Sequence, residues 1–281
     1  MVNHIYIRPT PRPQHSWTFI TVTYNSASTL RSFWPVMNGN EDFEWIVVDN
    51  ASTDNSADQA EALGATVIRL PKNLGFGAAN NVGYQSSKSK YIAFINPDVS
   101  PQPEDLKILE THLNAHPFDL VSPQLINPDG SLQPNGRGLP YLLNKIQNRI
   151  RPSRLVDSYL KYSEPGESIK VSWLMGAVVA GVRDHLDDLG PWDEHFFVYY
   201  EDADLGLRNS KLSGDSVVIG NAQWYHGWAR ETKRISWNAW KLEIPSLIKF
   251  YSRYPHLLGA PGRKKNDSNA IYTSAEIKAS S

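Results

Sequence analysis

Glu44-Trp45-Ile46-Val47-Val48-Asp49-Asn50 is a short apolar run closed by an acid and an amide. An apolar run without polar alternation is the form of a strand buried on both faces, and such strands belong to parallel sheets covered by helices. The flanking sequence agrees. Upstream, Trp17-Thr18-Phe19-Ile20-Thr21-Val22-Thr23 is β-branched and aromatic and ends in the polar Asn25-Ser26 turn, with a helical stretch from Ser28. Downstream, Asp54 to Leu63 suits a helix stopped by Gly64, Thr66 to Leu70 reads as a third strand, and Tyr91 to Asn96 as a fourth. Strands alternating with helices place the chain in the α/β class, with a mostly parallel sheet flanked by helices.

In such sheets ligands sit beyond the carboxyl ends of the strands. The polar residues at those ends are therefore the candidates: Thr23 and Asn25, Asp49 and Asn50, Asn96 and Asp98. Asp49 has two readings, an acceptor for a base N–H or the cap of its own loop, where Ser52 and Asp54 shape the turn into the next helix. Asn73-Leu74-Gly75-Phe76-Gly77-Ala78-Ala79-Asn80-Asn81 is a small-residue turn running into a helix. Gly75 and Gly77 let a backbone approach a ligand, but the third spaced glycine of a dinucleotide fingerprint is missing, which counts against a nucleotide-dependent oxidoreductase. In Ile92-Ala93-Phe94-Ile95-Asn96-Pro97-Asp98-Val99 a buried strand delivers two oxygen-bearing side chains to the ligand edge, across a rigid proline. A hard cation such as Mg2+ or Mn2+ takes oxygen ligands, few of them carboxylates, and completes its shell with substrate phosphates. A plain Asn-Pro-Asp turn gives the same letters.

The second half is less regular. Asp119 to Asn127 reads as a strand entering the Asp129-Gly130 turn, and Leu106, Leu109 and Leu113 repeat at helical spacing after Pro103. Leu139 to Tyr162 is helical or irregular, with Arg149, Arg151 and Arg154 as a local basic patch. Val171 to Val182 reads as one or two buried strands broken by Gly176, and Ser236 to Tyr254 as an aromatic-rich helix interrupted at Pro245. The tail from Gly262 is polar and lysine-bearing and reads as disordered.

Composition narrows the function. A length of 281 residues at 41% hydrophobic suffices for a full core. A net charge of −1 offers polyanions no general attraction, so nucleic acid is not expected as a partner. With no cysteine, thiolate metal sites, cysteine nucleophiles and disulfide scaffolds are excluded, in keeping with a reducing compartment. The start lacks the apolar core of a secretory signal. The Val171 to Val182 run is shorter than the ~20 residues of a membrane-spanning helix. A cytoplasmic protein, at most peripheral on the inner face of the cell membrane, is the expectation.

Taken together and in order, Val22-Thr23-Tyr24-Asn25, Val48-Asp49-Asn50-Ala51-Ser52-Thr53-Asp54, Asn73-Leu74-Gly75-Phe76-Gly77 with Asn80-Asn81, and Asn96-Pro97-Asp98 resemble the nucleotide-binding half of a family 2 inverting glycosyltransferase. The wording is closest to the bacterial rhamnosyltransferase-like branch. The resemblance continues through Gly176-Ala177, Gly190-Pro191-Trp192-Asp193-Glu194-His195-Phe196-Phe197 and Tyr200-Glu201-Asp202-Ala203-Asp204-Leu205-Gly206-Leu207-Arg208, covering about Phe19 to Trp228. It implies the A-type glycosyltransferase fold: a Rossmann-like sheet with a C-terminal, acceptor-side helical extension. The catalytic domain would span 17–228, with a nucleotide-binding half at 17–100 and an acceptor half at 101–228, followed by the extension at 229–261 and the tail at 262–281.

The same resemblance implies roles. Asp49 goes to the nucleotide base, with Thr23 and Asn25 in the same pocket and Asn80 and Asn96 near the nucleotide or donor sugar. Asp98 corresponds to the last acid of an Asp-x-Asp metal motif whose first acid is Asn96 here, and His226 to a histidine completing the metal site. Asp202 matches the catalytic base, with Glu201, Asp193 and Trp192 as supporting or acceptor-contacting residues. The chemistry calls for such a base, because an acceptor hydroxyl is a poor nucleophile until a carboxylate takes its proton. The acids at 201, 202 and 204 also suit a helix start, where carboxylates favour the dipole.

The implied donor is a dTDP- or UDP-sugar, with dTDP-rhamnose favoured by the branch, and the implied acceptor is a glycan or lipid-linked glycan of cell-surface polysaccharide synthesis. A non-catalytic sugar-nucleotide or glycan-binding module on the same fold is the competing class. Trp237, Trp240, Ile244, Leu247 and Ile248, with Arg234 and Lys241, read either as an interfacial membrane helix or as a helix packing its aromatics on the core. Arg230, Lys233 and Arg234 also suit the donor diphosphate.

Overall fold

The apolar runs that suggested strands do form them. In the computed structural model, which describes residues 15–35, 43–150, 159–227, 237–259 and 271–273, β1 is Trp17–Thr23, β2 Phe43–Asp49, β3 Thr66–Arg69 and β4 Tyr91–Ile95. These pair in parallel in the order β3-β2-β1-β4, with Thr23 directly beside Asp49 in the register. Between them run α1 (Ala27–Phe33), α2 (Ser56–Ala62) and α3 (Phe76–Ser86). Gly64 takes φ +96 just past α2, the left-handed stop its position suggested.

Beyond β4 come β5 (Val99–Ser100), α4 (Leu106–Ala115), β6 (Leu120–Ile126), β7 (Gly136–Arg137) and α5 (Leu142–Ile150). Then follow β8 (Leu160–Lys161), β9 (Glu167–Val171), β10 (Trp173–Leu174), β11 (Val178–Val182), α6 (Arg183–Leu189), α7 (Glu201–Lys211), β12 (Ser216–His226), α8 (Trp237–Arg253) and β13 (Ile271–Thr273). The main sheet has the order β13-β9-β12-β6-β11-β4-β1-β2-β3, with β5 against β12. It is mixed in this half: β11 runs antiparallel to β4 and β6, and β9 antiparallel to β12. β7, β8 and β10 form a separate small sheet.

Side-chain alternation divides the core into two layers. Phe19, Trp45, Ala93 and Ile95 join Leu30, Leu109, Leu113 and Trp224 on one face, while Ile20, Ile92 and Phe94 join Tyr84, Leu186, Trp192 and Leu205 on the other. Each fully buried aromatic or branched side chain contributes roughly 1.5–3 kcal/mol by leaving water, so the layers fix which strand ends point to a common edge.

One expectation is corrected. α8 is not interrupted at Pro245 but continues through it. Proline removes one helix N–H, yet Phe250, Tyr251 and Tyr254 anchor the helix in a cluster with Tyr159, Trp173 and Tyr200, and the Ser246 hydroxyl donates to the Val198 carbonyl at 2.8 Å. Ile271–Thr273 adds an antiparallel edge strand to β9, as its β-branched and aromatic residues favour, and the rest of the 262–281 tail lies outside the described residues. Arg151, Arg154, Arg230, Lys233 and Arg234, and the side chains of Arg149, Trp237, Trp240 and Lys241, lie outside the described residues. Among the described residues no helix is long and apolar enough to cross a membrane.

Candidate active site

Three clusters meet at the carboxyl edge of the sheet. The first is set by the pairing of β1 and β2. The Thr23 hydroxyl donates to Asp49 Oδ1 at 3.0 Å and the Ser52 N–H to Oδ2 at 3.1 Å, so a buried carboxylate is held at the strand end with acceptor capacity left on each oxygen. Asn25, at φ +56, uses its Oδ1 to accept the N–H groups of Thr53 and Asp54 and the Thr53 hydroxyl, tying the loop after β1 to the loop after β2. Asp54 accepts the N–H of Ala27 at 3.1 Å and of Ser56 at 3.0 Å, bridging the starts of α1 and α2.

Asn50, which the sequence marked only as a strand-end residue, holds the glycine turn. Its Nδ2 donates to Asn73 Oδ1 at 2.9 Å and to the Gly75 carbonyl at 3.3 Å, and its Oδ1 accepts the Leu74 N–H at 2.8 Å. The turn docks on the far half of the chain: the Phe76 N–H donates to the Phe197 carbonyl at 2.8 Å. Gly75 sits at φ +90 and ψ 169, a region essentially reserved for glycine, and a Cβ there would lie 2.4 Å from Phe197 O. Gly75→Ala is expected to cost at least about 3 kcal/mol, the backbone strain adding to the clash. The drop would be read in a denaturant melt, and an unchanged midpoint would refute it. Asn80 is buried in α3, where its Nδ2 donates to the Phe76 carbonyl at 3.0 Å.

The second cluster forms where β5 pairs with the end of β12. His226 is in register with Val99, and the Gly227 N–H donates to the Asp98 carbonyl at 2.7 Å, which brings His226 Nε2 to 3.4 Å from Asp98 Oδ2. Gln133, buried and missed in the sequence, orients the ring. Its Nε2 donates to the His226 carbonyl at 2.9 Å and to Asn127 Oδ1 at 2.7 Å, leaving Oε1 to accept from His226 Nδ1 at 2.7 Å. A neutral His226 therefore directs its Nε2 lone pair at Asp98. A carboxylate and an imidazole lone pair facing one another fit a divalent cation, and among the described residues no third histidine, cysteine or acid joins them.

The third cluster is the start of α7. Tyr199 and Tyr200, both at positive φ, turn the chain into the helix and set Glu201 and Asp202 on its first turn. Asp202 is partly exposed and accepts the N–H of Ala203 at 2.8 Å and of Gly176 at 3.3 Å. The next carbonyl, of Ala177, accepts the Asn96 N–H at 2.9 Å. The Gly176-Ala177 turn is thus clasped by Asp202 on one side and by the Asn96 strand end on the other.

Glu201 is buried, and its Oε2 has no hydrogen-bond partner. Burial, with Asp202 beside it, pushes its carboxyl up to about 8. Lys145 from α5 lies 4.8 Å from the Trp173 ring and 4.4 Å from the Tyr200 ring, where burial pushes its ammonium down and the charge of Asp202 opposes that. Folded Glu201 keeps its proton to about pH 8 whereas the ordinary value is 4.5, so the folded state binds more protons between those values and loses stability as pH rises through them. Glu201→Gln, neutral at every pH, is expected to gain on wild type by up to about 1.4 kcal/mol per pH unit across that window. Parallel unfolding free energies for the two proteins from about pH 5 to about pH 8 would count against a protonated Glu201.

The remaining acids are bound in place. Asp204 is buried between Arg208, Arg253 and the Tyr254 hydroxyl, at 2.7, 2.7 and 2.8 Å. Asp193 meets Arg253 at 2.6 Å and His195 at 2.7 Å. Burial works against its charge, but the His195 N–H and imidazole and the Arg253 guanidinium outweigh it and hold the carboxyl at about 2. Trp192 is buried, its ring edge-on to Phe76 and Phe94 at 5.2 Å, and its backbone is clamped by Asn81. Trp192 and Asp193 brace the glycine turn and α8. Gln133 and Lys145 left no trace in local sequence because their partners lie far away along the chain.

The chain is similar to known proteins in sequence and in fold. The sequence profile of glycosyl transferase family 2 matches residues 18–172. The N-acetylglucosaminyl-diphospho-decaprenol L-rhamnosyltransferase of Mycobacterium tuberculosis is 28% identical over 245 residues, covering 76% of this chain and 77% of its own length. Among solved structures, the mannosyltransferase PcManGT of Pyrobaculum calidifontis, in complex with GDP-Man and Mn2+, superposes with a TM-score of 0.54 at 16% identity over 90% of this chain and 67% of that one. GalNAc-T7 with UDP, GalNAc and Mn2+ gives 0.57 at 14% identity, over 88% of this chain, which spans only 51% of that structure's length.

Proposed function

The chain belongs to glycosyl transferase family 2, and from that premise we propose that it is an inverting, metal-assisted hexosyltransferase that moves a sugar from a nucleoside diphosphate to a hydroxyl of a lipid-linked glycan. The observation that carries the reading is the Gly176-Ala177 clasp, which ties the Asp202 carboxylate and the Asn96 strand end to one turn and so supports a base beside a cation site at Asp98.

Thr23, Asn25, Asp49 and Asn96 form the nucleotide side, with Asp49 accepting from the base. Asp98 and His226 would hold Mg2+ or Mn2+, which when bound neutralises charge on the departing diphosphate. Asp202 takes the acceptor hydroxyl proton as its oxygen attacks the anomeric carbon, and the bond from that carbon to the diphosphate oxygen breaks on the opposite face. The configuration inverts. Glu201, protonated beside Asp202, confines the negative charge to one carboxylate. Trp192 and Asp193 support the wall of the site, and Asn80, in the first turns of α3, belongs with the nucleotide side.

The name of the mycobacterial relative supports L-rhamnose as the transferred group and a lipid diphosphate N-acetylglucosamine as the acceptor. The dTDP-rhamnose donor, and use at the cytoplasmic face of the membrane in cell-surface polysaccharide synthesis, follow from the resemblance to the rhamnosyltransferase-like branch. The UDP and GDP-Man in the structural relatives keep other nucleotide sugars in the test set. A donor panel read by thermal shift with Mn2+, followed by transfer to a lipid diphosphate N-acetylglucosamine, tests the reading. Stabilisation by dTDP-rhamnose and turnover lost in Asp202→Asn support it. Nucleotide-sugar binding without turnover on any acceptor would instead make the chain a binding module.

A further inference from the structure

α8 is apolar on both sides. Its inner face, Ser246, Leu247, Phe250, Tyr251 and Tyr254, packs at helical spacing on the aromatic cluster, while Ile244 and Ile248 on the outer face are exposed, Ile248 to 58%. α5 repeats the pattern: Tyr141 and Leu142 pack inward, whereas Leu139, Leu143 and Ile146 are exposed, Ile146 to 47%. The two helices form one wall, because the Tyr251 hydroxyl donates to the Pro140 carbonyl at 2.9 Å. The loop before Asp202 belongs to the same wall. Val198 accepts from Ser246, its neighbour Phe197 is exposed, and the Lys145 ammonium of α5 lies over Tyr200. Single exposed hydrophobics are ordinary, but these gather on the elements that border the base.

The sequence adjoining these elements is basic. The stretch 146–154 carries Arg149, Arg151 and Arg154 and no acid. The stretch 228–241 carries Arg230, Lys233, Arg234 and Lys241 against Glu231 alone, in a chain whose formal net charge is −1. Apolar side chains flanked by basic sequence suit the boundary between acyl chains and anionic headgroups.

We infer that the outer faces of α5 and α8, with Phe197, dock on an anionic lipid bilayer and hold the mouth of the Asp202 site at the headgroup level. The inference rests on the lipid-linked acceptor reading for its purpose, since such an acceptor presents its sugar at that depth. The apolar faces supply insertion, and the basic segments supply attraction to the surface.

The test is flotation of the full chain with acceptor-free vesicles, either pure phosphatidylcholine or equal parts phosphatidylcholine and phosphatidylglycerol. The expected result is flotation with the anionic vesicles, weakened by salt and reduced on the order of tenfold or more in the Ile146→Asn/Ile248→Asn double variant, whose melting temperature stays near wild type. Failure of the wild type to float overturns the inference, as does equal flotation of the double variant. A dimer that the double variant turns into a monomer, without vesicle binding, overturns it too and gives the face to a second copy. A chain that glycosylates a short-chain soluble acceptor but does not float keeps the proposed function and loses the docking surface. One that floats but turns over no donor does the reverse.

Discussion

Asp202→Asn is expected to lower kcat by about 10³-fold, within the 10²–10⁴ range of general-base catalysis, while leaving donor affinity within a factor of about two. The amide keeps the size of the carboxylate and still accepts the Ala203 N–H, but it cannot take a proton. It also gives up the longer contact, 3.3 Å to the Gly176 N–H. A loss of 10³ corresponds to about 4 kcal/mol of transition-state stabilisation. Donor binding is spared because Asp49 ends β2 and Asp98 lies in the turn between β4 and β5, outside α7. A second readout separates loss of charge from misfolding. Asp202 is one of the two main causes that push Glu201 up, so the amide variant lets the Glu201 carboxyl fall toward its ordinary range and flattens the dependence of stability on pH. Turnover within tenfold of wild type would move the base elsewhere. Loss of donor binding together with turnover would make Asp202 a structural residue.

The nucleotide half was legible because its strands are continuous apolar runs that end abruptly in polar residues, and that grammar is local. Asp49 and Asp98 stand out where the apolar runs stop. β12 was not legible. Its sequence, Ser-Val-Val-Ile-Gly-Asn-Ala-Gln-Trp-Tyr-His, is broken by Gly220 and Asn221, and its register on β6 slips between Ile219 and Gln223, with β9 on its other side before the slip and β5 after it. His226 was therefore found by resemblance and placed only by the fold. Gln133 and Lys145 are further from reach, since a buried glutamine and a lysine over two rings have no local signature. Pro245 misled for the opposite reason: its local rule is sound, but the packing of Phe250 and Tyr251 outweighs one missing N–H.

Asp98→Ala should remove the metal dependence of donor binding and lower kcat/KM by roughly 10³-fold, because a cation facing the leaving diphosphate is worth several kcal/mol. The protein supplies few ligands, so each one counts. His226→Ala takes the second and should be nearly as severe. Gln133→Leu tests the geometry more finely. It touches no cation, but it frees the ring that Gln133 Oε1 holds through His226 Nδ1 at 2.7 Å, and losses of about 10–100-fold in metal affinity are the scale of such second-layer changes. Gln124→Leu is the control for a buried amide. Gln124 donates to the Gln133 and Leu125 carbonyls and accepts from the Ser163 N–H, so its loss should cost stability without moving Mn2+ affinity. A Mn2+ titration of donor binding by calorimetry orders the four. The expected series is Asp98→Ala, then His226→Ala, then Gln133→Leu, with Gln124→Leu at wild type. Donor binding that ignores Mn2+ in the wild type would remove the cation from the mechanism. Equal effects of Gln133→Leu and Gln124→Leu would show that His226 needs no orientation, and its Nε2 would lose its standing as a ligand.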